Sequence, residues 1–393
     1  MDALMLPLNW QKVRLGDIGK PCMCKRVMKH QTTRYGEIPF YKIGTFGNTA
    51  DAFISKKLFL EYKTKYSFPK KGDILISASG TIGRAVIYDG KPAYFQDSNI
   101  VWIDNDETLV KNDFLFYAYS NVKWNTEHTT ILRLYNDNFR NTLIPLPPLN
   151  EQSAIANILS DLDRYLCALD ALILKKEGVK KALSFELLSQ RKRLKGFNQA
   201  WQRVRLGDIA KIIGGGTPST QITSFWNGSI NWFTPTEIGI TKYVYKSQRT
   251  ITPLGLKNSS AKLLPIGTIL LTSRASIGDC AILKVVATTN QGFQSLIPLE
   301  KINNEFLYYL ILTLKNKLLK LASGSTFLEV SPNKIKNLLI PLPPLNEQSA
   351  IANILGALDN EIASLKNKKR QFENIKKALN HDLMSAKIRV LEK

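Results

Sequence analysis

Hydrophobic positions in this chain follow two different periods, and the change from one to the other occurs twice. Short apolar runs bounded by turn-forming residues predict strands at residues 38–43, 74–77, 85–88 and 100–103, and again at 230–233, 269–272 and 281–285. After each set, apolar residues recur at spacings of four, three and four, which is the period of a coiled-coil helix. The pattern therefore predicts an α+β protein in which strand-rich segments alternate with two long helices.

Each predicted helix carries an apolar stripe that lysines interrupt. The first stripe contains Leu162, Leu166, Leu169, Ile173, Leu183 and Leu187, with Lys176 and Lys180 between them; the second contains Leu358, Ile362, Leu365, Phe372, Leu379 and Leu383, with Lys369 and Lys376. Each helix would run for about 40 residues, or roughly 60 Å. Neither helix can bury its stripe alone, so we expect the two to pair as an antiparallel coiled coil. The alternative is that each helix folds back on its own domain.

The chain is an internal duplication. Residues 143–159 and 339–355 both read LIPLPPLNEQSAIANIL, and WQKVRLGDIGK at residues 10–20 returns as WQRVRLGDIAK at residues 201–211. Runs of this length do not recur by chance. Between the repeated opening and closing segments the halves differ, although Gly72, Gly83 and Gln96 have counterparts 195 residues downstream. We therefore expect a pseudo-two-fold repeat in which one fold carries two different sequences.

Prolines precede each helix and predict an extended entry segment. Asn150 and Asn346 are the predicted N-caps, and each is followed by Glu and Gln in the first turn, where the helix dipole favours negative charge. The predicted boundaries are a first strand-rich domain at 1–148, a first helix with its basic connection at 149–195, a second domain at 196–344 and a second helix at 345–393.

Composition favours a polyanionic partner. The 393 residues carry 54 Lys and Arg against 32 Asp and Glu, a formal net charge of +22. This excess is typical of nucleic-acid binding, although a membrane surface or an acidic partner also fits. No apolar run approaches the ~20 residues of a membrane span, and the first residues show no signal-peptide pattern. With four cysteines at unrelated positions, a reducing cytoplasm is the expected compartment.

Catalytic signatures are missing from the sequence. It has three histidines, no GxxxxGK[ST] phosphate loop, and no Asn- or Asp-Pro-Pro-aromatic motif of the kind that amino-methyltransferases share. Cys22, Cys24 and His30 lack the second pair of ligands that a zinc site requires, so no metal site is predicted. We therefore expect a binding protein rather than an enzyme.

The chain resembles the specificity subunits of type I restriction-modification systems. The resemblance rests on PLPPLNEQ at the head of each helix, the WQxVRLGDI opening of each half and GGGTPST…FWNGSINWFTPTEI at residues 214–238, and it covers the whole chain. It implies that the strand-rich domains are target-recognition domains, each reading one half of a split, asymmetric DNA sequence. The long helices would act as a spacer and as a dock for methyltransferase subunits.

The resemblance also implies the partners. They are double-stranded DNA, two methyltransferase subunits that would modify adenine, and restriction-translocase subunits for cleavage. S-adenosylmethionine would be held by the methyltransferase, and this chain would hold no cofactor. The first half lacks the Gly-Gly-Gly-Thr-Pro segment of the second, which indicates that the two recognition domains belong to different subgroups.

The candidate DNA contacts are chosen for their side-chain chemistry, and small hydroxyl residues in glycine-flanked loops are included because they suit close approach to phosphate. Arg can grip guanine O6 and N7, and Gln or Asn can grip adenine N6 and N7, each with two hydrogen bonds. Residues 214–216 are predicted to form a tight turn, and Trp232 and Phe233 to lie in the core. The candidates are Lys42, Ser79, Thr81, Arg84, Gln96 and Asn99 in the first domain, and Thr217, Ser219, Thr220, Arg274, Ser276 and Gln291 in the second.

Two other classes of function compete with this interpretation. One is a stand-alone scaffold whose basic coiled coil binds RNA or a membrane surface without catalytic partners. The other is a self-contained restriction-modification enzyme. The two identical helix entries argue against the scaffold, and the missing methyltransferase and nucleotide-binding motifs argue against the enzyme.

Overall fold

The structure, a computed structural model, describes residues 7, 9–125, 127–128, 132–324 and 328–390. Its contacts divide the chain into two compact units. The first comprises Met1–Asp170 and Asn367–Lys393, and the second comprises Ala171–Lys366. Each unit therefore contains one strand-rich region and a part of both long helices.

The first unit folds mainly into two small sheets. Strands β2, β8, β5 and β6 form an antiparallel sheet in that order, and β4, β3 and β7 form a second sheet in which β3 and β7 are parallel. A 3-10 turn spans Lys29–Gln31. The elements are β1 (Gln11–Arg14), α1 (Leu15–Ile18), β2 (Gly19–Met23), β3 (Ile38–Tyr41), β4 (Phe53–Ile54), α2 (Lys56–Lys65), β5 (Ile74–Ser77), β6 (Ala85–Ile87), β7 (Tyr94–Phe95), β8 (Ile100–Asn105), α3 (Asn112–Tyr119), β9 (Glu127–His128), β10 (Leu132–Arg133), α4 (Asn136–Asn141), β11 (Leu143–Leu146) and the start of α5 (Leu149–Leu188).

The second unit repeats this topology with one extra edge strand. The sheet order is β13-β20-β17-β18, extended by β15, and the smaller sheet is β16-β14-β19. Short 3-10 turns lie at Leu206–Asp208, Thr223–Phe225 and Pro235–Glu237. The elements are β12 (Gln202–Arg205), β13 (Ala210–Gly214), β14 (Trp226–Phe233), β15 (Tyr243–Val244), β16 (Arg249–Ile251), α6 (Pro253–Lys257), β17 (Ile269–Leu271), β18 (Cys280–Leu283), β19 (Ala287–Thr289), β20 (Gln294–Pro298), α7 (Asn304–Thr313), α8 (Lys315–Leu321), α9 (Pro332–Lys336), β21 (Leu339–Leu342) and the start of α10 (Leu345–Met384).

The predicted elements agree with the observed ones. Each of the seven predicted strands overlaps an observed strand, and both long helices contain 40 residues. Trp232 and Phe233 are 3% and 1% exposed, which confirms their place in the core. The α+β class and the two-fold internal repeat are also confirmed. No helix in the described part of the chain is long and apolar enough to span a membrane.

The repeated opening and closing sequences of each half pair with one another. β1 runs antiparallel to β11, with Val13 opposite Ile144, and β12 runs antiparallel to β21, with Val204 opposite Ile340. The duplicated segments are thus the two strands of one ribbon in each unit. This ribbon joins the first residues of a half to the entry of its long helix.

The predicted N-caps are wrong. Helix α5 begins at Leu149, so Asn150 lies inside its first turn, and Asn346 lies in the same place in α10. The Pro148 carbonyl accepts the first helical hydrogen bond, from the Gln152 amide at 2.9 Å. The chain reaches Pro148 already extended from β11, so Pro148 takes the capping position and the helix starts two residues earlier than an Asn150 cap would place it.

The Glu and Gln of each helix entry are structural. Gln152 is fully buried; its Oε1 accepts from the Lys111 amide at 2.8 Å, and its Nε2 donates to the carbonyls of Leu109 and Pro147 at 3.0 and 2.8 Å. Buried Glu151 accepts from Trp10 Nε1 at 3.0 Å and from Arg389 at 2.7 and 3.1 Å. A buried polar group must find partners, and here backbone amides, backbone carbonyls and the Trp10 and Arg389 side chains supply them.

The second unit repeats these buried hydrogen bonds. Gln348 Oε1 accepts from the Asn303 amide at 2.8 Å, and buried Glu347 accepts from Trp201 Nε1 at 2.9 Å. Arg193, which follows α5, donates to Glu347 at 2.8 and 3.2 Å. In each unit the arginine therefore comes from the segment that follows the other long helix, so each buried glutamate depends on residues far away in the sequence.

The helices pair antiparallel within each unit, as predicted. In the first unit Lys369 contacts Asp170 at 2.7 Å and Lys376 contacts Asp163, so residue numbers fall along α10 as they rise along α5. The rings of Tyr165 and Phe372 pack between them, with centroids 4.7 Å apart.

In the second unit Lys176 pairs with Glu361 at 2.7 Å and Lys180 pairs with Asp359. The lysines that interrupt each stripe therefore bridge the two helices. Their long side chains reach carboxylates on the partner helix while the stem packs along the seam.

Tyrosines fix the strand-rich region of each unit to the helix pair. The Tyr117 hydroxyl donates to Asp163 at 2.8 Å, and the Tyr309 hydroxyl donates to Asp359 at 2.6 Å. Burial raises the pKa of both phenols, and the hydrogen bond to a carboxylate raises the pKa further. Each phenol therefore stays protonated and acts as a permanent donor to the helix carboxylate.

Candidate nucleic-acid interface

A basic cleft of about 700 Å³ opens on the first unit. It lies between the 3-10 turn, the end of β3 and the loop that follows β7. Lys42, Gln96 and Asn99, three of the six candidates in this domain, line it. The other basic and polar side chains at its walls are Arg26, Lys29, Thr32, Asp97, Ser98 and Arg133.

The Gln96–Asn99 loop is held from several sides. Arg26 Nε contacts Asp97 at 2.9 Å, and Arg133 Nη2 donates to the Ser98 carbonyl at 2.7 Å. Ser98 itself has φ +59, a left-handed conformation that non-glycine residues rarely adopt. Such strain persists only where surrounding contacts impose it, and it concentrates at functional loops.

The hydrogen bonds of the two amide candidates distinguish them chemically. Gln96 Oε1 accepts one bond, from the Ile43 amide at 3.0 Å. Asn99 Oδ1 accepts two, from Ser79 Oγ at 2.8 Å and from Arg133 at 3.4 Å. Since an amide oxygen has two lone pairs, Asn99 must release a partner before it can grip adenine, whereas Gln96 keeps one acceptor site.

The remaining candidates of the first domain lie outside the cleft lining. Ser79 is buried and holds Asn99. Thr81 is exposed in the loop between β5 and β6, where its carbonyl accepts from the Ser77 hydroxyl. Arg84 is also exposed, and its Nη2 lies 3.4 Å from the Gly47 carbonyl. The structure therefore brings Lys42, Ser79, Gln96 and Asn99 together and separates Thr81 and Arg84 from them.

In the second unit, Thr217 and Gln291 lie together. The Thr217 hydroxyl donates to Gln291 Oε1, and Gln291 is exposed on the connection between β19 and β20. Ser219 and Thr220 are exposed on the segment after β13, and the Ser219 carbonyl accepts from Trp226 Nε1 at 3.0 Å. Thr217, Ser219 and Thr220 therefore lie on one segment, and the Thr217 hydrogen bond joins this segment to Gln291.

The glycines at 214–216 do not form a tight turn. None of the three has a positive φ, and Gly214 is the last residue of β13. A Cβ on Gly215 would lie 1.9 Å from the Asn290 carbonyl oxygen, and one on Gly216 would lie 2.3 Å from the Ala261 amide. Gly215 and Gly216 are required because neighbouring backbone segments pass too close for any side chain, whereas a Cβ on Gly214 would find ordinary contacts.

Arg274 and Ser276 lie on the short loop between β17 and β18. Arg274 Nη2 pairs with Glu329 Oε2 at 2.9 Å, and Ala275 has φ +47. The neighbouring Ser273 amide donates to the Gly292 carbonyl at 2.8 Å, which places this loop beside Gln291. Arg274, Gln291 and Thr217 therefore lie along the same edge of the unit.

Sequence reasoning missed Arg26, Lys29, Arg133 and Glu329. Each of them comes from a segment without glycine-flanked loops or a repeat match, so no local signal distinguishes it. Arg133 in particular lies 34 residues beyond Asn99, in the short strand β10. Its position beside the loop depends on tertiary packing alone.

Cys22 and Cys24 of the first unit pack in the aromatic core under this loop. Cys24 is buried beside β7, and burial raises the pKa of its thiol to about 12. Tyr94 packs in the same cluster and donates to the Lys25 carbonyl at 3.1 Å. Among the described residues, no group of three or more His, Cys, Asp or Glu side chains is placed to hold a metal ion.

Comparison with known proteins identifies the family. The family described as type I restriction modification DNA specificity domain matches residues 7–176 and 198–374. A putative type I restriction enzyme specificity subunit of Methanocaldococcus jannaschii is 28% identical over 98% of this chain and 95% of its own length. The EcoR124I/EcoR124II specificity subunit of Escherichia coli is 30% identical over 75% of this chain and 74% of that protein.

A closer but partial relative is a putative type I restriction enzyme specificity subunit of Haemophilus influenzae. It is 62% identical over 38% of this chain, and the match spans only 40% of that protein's length.

Solved structures share the fold. The S subunit of the type I restriction-modification system from M. genitalium superposes with a TM-score of 0.60 at 18% identity, over 96% of this chain and 98% of the other. The HsdS subunit from Thermoanaerobacter tengcongensis gives a TM-score of 0.50 at 20% identity, over 98% of each chain. Because the family model matches both halves, at residues 7–176 and 198–374, this chain belongs to the family of type I restriction modification DNA specificity domains and carries two copies of the domain.

Proposed function

We propose that this protein binds duplex DNA and that each unit reads one half of a split, asymmetric target. One observation carries the proposal. The two units share a strand order, a helix entry and a buried glutamate that accepts hydrogen bonds from an arginine and a tryptophan. They nevertheless carry different residues at the equivalent polar loops. A conserved scaffold with divergent loops is what two readers of different half-sites require.

The charge supports this assignment. A net charge of +22 supplies sequence-independent attraction to phosphates. Base discrimination then needs side chains with a fixed hydrogen-bonding geometry, and the held Gln96–Asn99 loop and the Arg274–Glu329 pair offer such side chains. The protein acts in the cytoplasm, where bacterial and archaeal DNA lies.

The catalytic work belongs to partners. Two methyltransferase subunits dock on the chain and modify adenine with S-adenosylmethionine that they bind themselves, and restriction-translocase subunits join them for cleavage. The paired helices α5 and α10 are the docking surface in this proposal. A scaffold that binds RNA or a membrane surface would not need divergent loops on two matched units, so we do not favour it.

The test is methylation of a randomised duplex library by the full chain with its methyltransferase partner. Sequencing of the modified duplexes should yield one bipartite, asymmetric motif. A chimaera in which residues 201–340 come from another specificity subunit should change one half of the motif and leave the other half intact. Methylation without sequence preference would refute the proposal, and a change in both halves would refute the division of labour between the units.

A further inference from the structure

The two units place an arginine at the same point of the fold, although the arginine comes from a different segment in each. In the first unit the Leu134 amide donates to the Ala78 carbonyl at 2.9 Å, and in the second the Val330 amide donates to the Ser273 carbonyl at 3.0 Å. These bonds join equivalent segments, since Ala78 follows β5 and Ser273 follows β17.

The residue after Ala78 or Ser273 and the residue before Leu134 or Val330 differ in chemistry between the two units. In the first unit they are Ser79 and Arg133, which form a β-bridge. In the second unit the same two positions hold Arg274 and Glu329, which form an ion pair at 2.9 Å. Each unit thus keeps one guanidinium at this junction, carried by the later segment in the first unit and by the earlier segment in the second.

Arg133 is held by hydrogen bonds to the loop that follows β7. Its Nη2 donates to the Ser98 carbonyl at 2.7 Å and lies 3.4 Å from Asn99 Oδ1. Among the ion pairs of the described residues, Arg133 takes no part. A guanidinium carries five N–H donors in a planar fork, so one anchored nitrogen leaves an edge that can face the cleft it lines.

Arg274 is oriented by a carboxylate instead. Its side chain is 41% exposed and that of Glu329 is 31% exposed, so the pair lies at the surface with the guanidinium still accessible. The left-handed Ala275 next to it fixes the direction in which the loop presents the arginine. Gln291 lies on the adjoining segment, as Gln96 lies near Arg133 in the other unit.

We propose that Arg133 and Arg274 each read a guanine, the first in one half-site and the second in the other, and that Glu329 is a positioning residue for Arg274. The inference rests on the proposed function. Its chemistry is the match between the planar guanidinium fork and the O6 and N7 acceptors of guanine in the major groove. A lysine at either position would keep the charge and lose the two-point contact.

The experiment measures base preference at every position of the target. The full chain and its methyltransferase partner modify a randomised duplex library, and the relative methylation of each single-base substitution is counted. For Arg133→Ala, preference for guanine at one position of one half-site should fall on the order of 5- to 150-fold, with the other half unchanged. Arg274→Ala should do the same in the other half.

Conservative variants distinguish recognition of guanine from a phosphate contact or a purely structural role. Arg133→Lys should restore overall DNA binding but not the guanine preference. Glu329→Gln should weaken preference at the same position as Arg274→Ala and at no other. Arg203→Ala removes an exposed arginine of β12 away from these loops and serves as the matched charge control.

The outcomes separate the two proposals. A wild-type motif that is bipartite but lacks guanine in either half overturns the inference and leaves the proposed function intact. Rescue of preference by Arg133→Lys would show a phosphate contact and overturn the reading role. Loss of preference at all positions at once would assign these residues to folding. Wild-type methylation without a motif would overturn the proposed function itself.

Discussion

Replacing Arg389 by alanine should destabilise the first unit selectively. Glu151 is 3% exposed at its side chain, and it accepts two hydrogen bonds from Arg389 and one from Trp10. Removing one partner of a buried ion pair costs about 3–5 kcal/mol because the other charge is left buried. Arg389 is 32% exposed and Trp10 still donates, so we expect a lower cost of about 2–3 kcal/mol.

Hydrogen exchange measured by mass spectrometry is the suitable assay because it reports each unit separately. Two or three kcal/mol corresponds to about a 30- to 150-fold loss of protection. The loss should fall on β1 and β11, where Val13 pairs with Ile144. The matched variant Arg193→Ala removes the equivalent partner of Glu347, and here the loss of protection should fall on β12 and β21 instead.

Two controls make this reasoning refutable. The double variant Arg389→Ala, Glu151→Gln removes the buried charge together with its partner, so it should recover most of the lost protection. Arg164→Ala breaks an ion pair with Asp161 whose side chains are 75% and 63% exposed, and it should change little. Less than about a threefold effect of Arg389→Ala, no recovery in the double variant, or equal loss in both units would contradict the argument.

Three further predictions test other parts of the structure. Gly215→Ala should cost several kcal/mol in urea unfolding because its Cβ would lie 1.9 Å from a carbonyl oxygen, whereas Gly214→Ala, whose Cβ would lie 3.7 Å from its nearest neighbour, should cost about 1 kcal/mol or less. Lys176→Glu should destabilise the helix pair of the second unit by about 1 kcal/mol, because it replaces an interhelical ion pair by two facing carboxylates, and adding Glu361→Lys should restore the thermal stability. Burial raises the pKa of the Cys24 thiol from 9.0 to about 12, so as the pH rises the thiol ionises in the unfolded chain before it ionises in the folded chain. The free energy of unfolding is therefore unaffected by this thiol below pH 9 and decreases as the pH rises from 9 towards 12. Urea unfolding at about pH 8 and about pH 10.5 should therefore show a shallower decline for Cys24→Ala than for the wild type, and equal slopes would contradict the assignment.

The candidate site shows where sequence reasoning reached its limit. Side-chain chemistry makes Lys42, Gln96 and Asn99 candidates from the sequence, and the structure places all three in the lining of the cleft. Arg133 was not found, because a residue in a two-residue strand carries no periodic signal. Arg84 has the chemistry of a guanine reader, but its place against Gly47 depends on packing that no spacing encodes.

By itself the sequence determined the duplication, the two long helices and seven of the 21 strands of the described residues, because periodicity and repetition are local properties of a chain. It also determined that the helix stripes need a partner, since an exposed apolar stripe is unstable in water. Only the tertiary structure decided that the repeated opening and closing segments of each half pair as strands. It also decided that Arg389, which follows α10, pairs with Glu151 at the start of α5, and that Arg193, which follows α5, pairs with Glu347 at the start of α10. These contacts join residues more than 100 positions apart, and which distant groups meet is decided by the packing of the whole unit.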